Sequence, residues 1–128
     1  MAQKTGEILS QHLQELLDQS SDIEGAAVVG VDGLVYSANM PHRDMDEDLA
    51  GAVAAAVYAL SARSVSQLNR GNLQRTLIQG DDGNIIVMVI NDRTLFVGLT
   101  PKDVNLGMAF AEARTIAKKL AEVLKDFA

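Results

Sequence analysis

The chain contains no cysteine and no tryptophan, and only two prolines, two tyrosines and three phenylalanines among its 128 residues. Without cysteine, disulfides, thiolate metal sites and cysteine nucleophiles are all excluded. Positive charge is also scarce: 11 Lys and Arg stand against 17 Asp and Glu, a formal net charge of −6. No cluster of Lys or Arg offsets this locally, so a phosphate backbone would be repelled and nucleic acid is not expected as a partner. Long apolar runs are missing too. The longest uncharged stretch, Leu49 to Ala62, has 14 residues and is rich in Ala, short of the ~20 apolar residues of a membrane span. The N-terminal MAQKTGEILSQHLQ has no apolar core of the signal-peptide kind. A soluble, cytoplasmic protein with no membrane span is the expectation.

What is present is a core of small side chains. Hydrophobic residues make up 48 %, and a chain of this length can bury roughly two thirds of its unfolded surface as one domain, residues 1–128. From Thr5 to Ser20, Ile8, Leu9, Leu13, Leu16 and Leu17 form a helical stripe. Ala26 to Val31 is continuously apolar, as suits a strand buried on both faces. Residues 34–39 make a second strand, and Asp32-Gly33 between them is a favoured pair for a two-residue hairpin turn. A phosphate-binding loop would instead open a helix, with three glycines or a terminal Gly-Lys-Ser/Thr. Gly30 and Gly33 lead into another strand and no Lys follows, so GAAVVGVDGLVYSAN reads as a hairpin.

Asp44 and Glu47 have capping-box spacing ahead of a long helix from about Met45 to Asn69. Strands are expected at Leu73 to Gln79, Asn84 to Ile90 and Thr94 to Leu99. The short turns at Asp81-Asp82-Gly83 and Asn91-Asp92 make neighbouring strands antiparallel. Asp103 reads as the cap of a last helix with the stripe Ala109, Ala113, Ile116, Ala117, Leu120, Val123, Leu124 and Phe127. The order α-β-β-α-β-β-β-α, without linker or repeat, defines an α+β sandwich.

No constellation of residues points to catalysis. Asp44, Asp46 and Asp48 match the opening ligands of a calcium loop, but its glycine and closing glutamate would fall at Leu49 and Ala55. A negative helix start explains the same acids through the helix dipole. His12 and His42 lack partners at metal-ligand spacing, and there is no nucleophile-elbow serine. No cofactor, no metal and no enzymatic activity are expected.

The long helix carries the most information. LAGAVAAAVYALSA has no charge. Leu49, Val53, Val57 and Leu60 form one face suited to the sheet, while Gly51, Ala55, Ala59 and Ala62 lie opposite, where a solvated helix would carry Lys and Glu. That second face calls for a second protein surface; the alternative is an Ala-rich helix that merely tolerates water. The strand LQRTLIQ is more polar than its neighbours and reads as a sheet edge open to pairing, with Arg75 as a possible guard against it.

Taken in order, the GAAVVGVDGLVYSAN hairpin, the Ala-rich helix, the strands and the NLGMAFAEAR start of the last helix resemble the Roadblock domain family over residues 6–124. The resemblance implies a five-stranded antiparallel sheet between the long helix and a layer of two terminal helices. It also implies a homodimer formed through the long helix and third strand, which places Ala52, Ala55, Ala56, Ala59, Arg63, Leu73, Arg75 and Leu77 at the interface. The implied function is regulation or scaffolding of a Ras-like small GTPase, with Arg43 and Arg63 as candidate contacts. A light-chain-like structural subunit and a dimer that senses a small molecule are the alternatives.

Overall fold

The computed structural model describes residues 2–127. The elements run α1 (Ala2–Gln19), β1 (Gly25–Gly30), β2 (Val35–Asn39), α2 (Glu47–Gln67), β3 (Arg75–Gln79), β4 (Gly83–Asn91), β5 (Thr94–Pro101) and α3 (Leu106–Phe127). The strands form one five-stranded antiparallel sheet in the order β2-β1-β5-β4-β3. Helices α1 and α3 cover one face and α2 the other. The expected α+β architecture and order of elements are therefore borne out.

Local sequence accounts for the layers. In α1, Leu9, Leu13 and Leu16 recur at helical spacing and are buried; in α3, Ala109, Ala113, Ile116, Ala117 and Leu120 do the same. The side chain of Phe127 lies outside the described residues. These stripes meet Ile23, Ala26, Val28, Ile86, Met88 and Phe96 to form the larger core. Gly98 leaves room for the aromatic ring beneath: a Cβ there would stand 3.1 Å from the Phe96 ring. The opposite side chains of the same strands, Ala27, Val29, Val87, Leu95 and Val97, form a smaller core under Ala54 of α2. Strand β1 is thus buried on both faces, as its unbroken apolar run requires.

One long-range pairing unites the sheet. β1 runs against β5 from Gly25 opposite Leu99 to Gly30 opposite Thr94, joining two hairpin groups far apart in the chain. In the neighbouring β4–β5 pairing Asn84 and Thr100, both buried polar residues, stand opposite and satisfy each other: Asn84 Nδ2 donates to Thr100 Oγ1 at 3.0 Å.

Three local expectations are corrected. The Asp32-Gly33 turn is a three-residue loop, Val31 to Gly33. Gly33 N–H donates to Gly30 O at 2.9 Å, and Gly30 N–H donates to Leu34 O at 2.7 Å. Gly33 takes φ +92°, the left-handed position such a loop requires. The cap of α2 is Asp46, whose carboxylate accepts the Leu49 N–H at 3.0 Å; Asp44 lies two residues too early. The cap of α3 is Asn105, accepting from Met108 N–H at 3.1 Å, because the loop after Pro101 continues past Asp103 before the helix begins.

Candidate functional site

Helix α2 rests on the sheet through a narrow contact. Gly51 and Ala54 are its buried residues, with Val57 and Tyr58 packed beside them against the smaller core. Of Leu49, Val53, Val57 and Leu60, the face that periodicity assigned to the sheet, Val57 packs there and Val53 is half-buried, but the two leucines turn away. Leu49 and Leu60 are 60 % and 69 % exposed. Gly51, assigned to the outer side, is instead pressed against the β1–β2 loop, where a Cβ would come 2.6 Å from the Gly33 carbonyl oxygen. The reason is steric: only a glycine lets the helix approach that loop, and this contact sets its rotation.

With that rotation, Ala52, Ala56, Ala59 and Arg63 are all exposed and, together with Leu49 and Leu60, form one outward ridge. Ala55 is half-buried and turned toward the β1–β2 loop: a Cβ at Gly33 would stand 3.8 Å from its methyl. Four of the five candidate helix positions are thus gathered on one surface, and the sequence missed the two leucines that complete it. No polar-to-apolar alternation marked them, because both sides of α2 are apolar.

Strand β3 is a sheet edge, hydrogen-bonded to β4 alone. Its candidate residues divide. Leu77, opposite Ile86, is half-buried against the α1/α3 core. Arg75 lies over the Phe110 ring of α3 at 5.1 Å, a cation–π contact, and Leu73 and Arg75 both line a groove between β3 and α3. These three sit on the α3 side. Thr76 and Ile78, which register with Val87 and Ile85, share the α2 side and were not singled out. Thr76 Oγ1 is buried there without a hydrogen-bond partner.

Arg43 and Arg63 are both exposed but lie toward opposite ends of α2: Arg43 is in the loop before Glu47, and Arg63 is about 24 Å further along the helix axis from Glu47. The acids Asp44, Asp46, Glu47 and Asp48 gather at the positive end of the α2 dipole. Among the described residues no group of three or more His, Asp or Glu is placed to hold a metal ion. His12 lines a groove between α1 and α3 with Glu15 and Lys119. His42 stands in the loop before α2, 3.8 Å from the Glu24 carboxylate. By length and composition α2 is apolar enough to cross a bilayer, which the count of uncharged residues did not register.

The features therefore define a small α+β domain that presents surfaces: an apolar helix ridge on one side of a sheet and an open strand edge beside it. The Roadblock/LC7 domain family model matches residues 9–100, and the chain belongs to that family. The Methanocaldococcus jannaschii protein MJ1340 is 34 % identical over 109 residues, 85 % of this chain and 90 % of that one. The Roadblock/LC7 domain from Streptomyces avermitilis superposes with a TM-score of 0.83 at 18 % identity, over 91 % of this chain and 97 % of the other. Myxococcus xanthus MglB does so with 0.87 at 10 % identity, over 96 % and 92 %. At those identities the structural likeness is one of fold.

Proposed function

We propose that residues 1–128 act as one Roadblock domain that forms a homodimer and regulates or scaffolds a Ras-like small GTPase in the cytoplasm. It works through protein–protein contacts and performs no chemistry of its own. The observation that carries this reading is the outer ridge of α2. Leu49 and Leu60 are largely exposed on a helix with no charge from Leu49 to Ala62, and contiguous exposed apolar surface marks a contact site. Ala52, Ala56 and Ala59 between the leucines let a second helix approach closely. An antiparallel partner helix crossing at Ala56 would set Arg63 beside the acidic first turn, Glu47 and Asp48, of the other copy. The open edge of β3 extends the same interface through Leu73, Arg75 and Leu77.

A regulator that distinguishes nucleotide states must touch the switch regions, since these change with the γ-phosphate. A two-fold dimer offers a composite surface wider than one subunit; Arg63 is exposed on α2 and Arg43 in the loop that leads into it. They orient the partner and contribute no charge to its transition state.

Light scattering should give twice the 13.7 kDa chain mass, and a monomer at tens of micromolar would remove the basis of the proposal. Small GTPases loaded with GDP or a GTP analogue should then bind the dimer unequally, with single-turnover hydrolysis altered in its presence. Equal binding in both states with unchanged hydrolysis would indicate a light-chain-like structural subunit. A loss of rate near a thousand-fold in Arg43→Ala or Arg63→Ala, with binding intact, would instead identify an arginine finger.

A further inference from the structure

Between β3 and α3 runs a groove of about 370 Å³ that is lined by Arg75, Arg114 and Lys118 over a floor of Met88, Ile90 and Ala117. Phe110, Arg114 and Lys118 recur every fourth residue on α3, so one edge of that helix carries the ring under Arg75 and then two cations. None of the three cations forms an ion pair: among the described residues the side-chain ion pair is His42 with Glu24. In a chain of net charge −6, three unneutralised cations in one groove mark a place for negative charge.

The opposite end of β3 carries the complement. Asp81 and Asp82 form the exposed β3–β4 turn, closed by the backbone bond from Gly80 N–H to Gly83 O at 2.8 Å. Their carboxylates accept no hydrogen bond among the described residues. Within one chain the acids lie about 20 Å along the strand from Arg75 and cannot reach the groove. A second copy running antiparallel along the edge reverses this. Gln74 O and Gly80 N–H are spent on the β4 side, so alternation turns the backbone groups of Arg75, Leu77 and Gln79 outward. A two-fold axis at Leu77, the middle of β3, lets all five strand residues pair. It sets Leu73 opposite Asp81 of the partner subunit.

Resting on the homodimer proposed above, we infer that the Arg75, Arg114 and Lys118 groove receives Asp81 and Asp82 of the partner subunit, twice per dimer. This charge clamp fixes the antiparallel orientation of the two β3 strands. A parallel docking would set acid on acid and cation on cation. It also makes assembly sensitive to salt, as exposed charge pairs are.

Sedimentation equilibrium on charge-reversed chains tests the clamp. D81K/D82K and R114E/K118E alter exposed side chains and leave Arg75 on Phe110. Each alone should raise the dimer Kd by at least about tenfold at low salt, since reversal replaces attraction with repulsion at both clusters. Mixed together they should form a heterodimer, and the chain carrying all four changes should dimerise again. Raising NaCl from about 50 mM to 500 mM should weaken the parent dimer and strengthen neither single variant above it. A parent dimer with both variants unchanged would overturn the clamp and leave the dimer standing. Two weakened variants that fail to rescue each other would overturn it as well. A monomeric parent would remove the dimer itself.

Discussion

Replacing Gly51 by alanine should destabilise the protein, although glycine-to-alanine changes inside helices ordinarily do the reverse. In an unhindered helix the substitution contributes about 0.8–1.0 kcal/mol of stability. Gly6 in α1 provides that reference, because a Cβ there meets nothing within 4 Å. At Gly51 the new Cβ would lie 2.6 Å from the Gly33 carbonyl oxygen and 2.9 Å from Val35 Cγ2. Neither neighbour yields easily. Gly33 is held at φ +92° and bonded through its N–H to Gly30 O, and Val35 is paired in the ladder opposite Val29. Overpacking of this kind costs about 1–3 kcal/mol, and a backbone obstacle belongs at the upper end. Net of the helix term, Gly51→Ala should lose about 2 kcal/mol while Gly6→Ala gains about 0.5–1. For a domain of this size that is a melting temperature lower by about 6–8 °C for the first and higher by about 2–3 °C for the second. Differential scanning calorimetry at one fixed protein concentration is the assay, since dimerisation couples to melting. If Gly51→Ala melts at or above the parent, the close approach that sets the rotation of α2 is wrong.

Other outcomes follow from the same geometry. Ala56→Glu, at the centre of the exposed α2 ridge, should weaken dimerisation by several kcal/mol by burying an unpaired carboxylate; sedimentation should show monomer with an unchanged circular dichroism spectrum. Asp46→Ala should cost about 1 kcal/mol in urea unfolding, because its carboxylate caps the Leu49 N–H. Asp44→Ala, without that contact, should cost almost nothing. Phe96→Ala, which empties the centre of the larger core, should lose about 3–5 kcal/mol with the slope of the unfolding curve preserved. Calorimetry on the protein alone should detect no saturable GTP binding below about a millimolar, as the Gly30–Gly33 segment is a hairpin loop and not a phosphate cradle.

Periodicity was a reliable guide wherever one face of an element was clearly more apolar than the other. The stripes of α1 and α3 and the doubly buried run of β1 read directly from side-chain spacing and are found buried. Helix α2 was the exception. Apolar on all sides, it carries no contrast from which to read a facing, so Leu49 and Leu60 were assigned inward and Gly51 outward. Caps failed by small offsets for a related reason: Asp44, Asp46 and Asp48 are equally good candidates in sequence, and only the path of the loop decides that Asp46 meets the Leu49 N–H.

The amino-acid sequence by itself determined the elements, their order and the antiparallel hairpins, because these depend on neighbours within a few residues. It also marked α2 and β3 as unusual, the one for lacking charge and the other for its polarity beside apolar strands. Only the tertiary structure decided that β1 pairs with β5, the arrangement that leaves β3 at the edge its polarity had suggested. Only the tertiary structure turned Ala52, Ala56, Ala59 and Arg63 outward as a set, and gathered Arg75, Arg114 and Lys118 into one groove. Such facts rest on contacts between residues distant in the chain. The spacing of residues along one segment holds no record of which other segment will cover it, nor of the close approach at Gly51 and Gly33 that fixes how α2 is rotated.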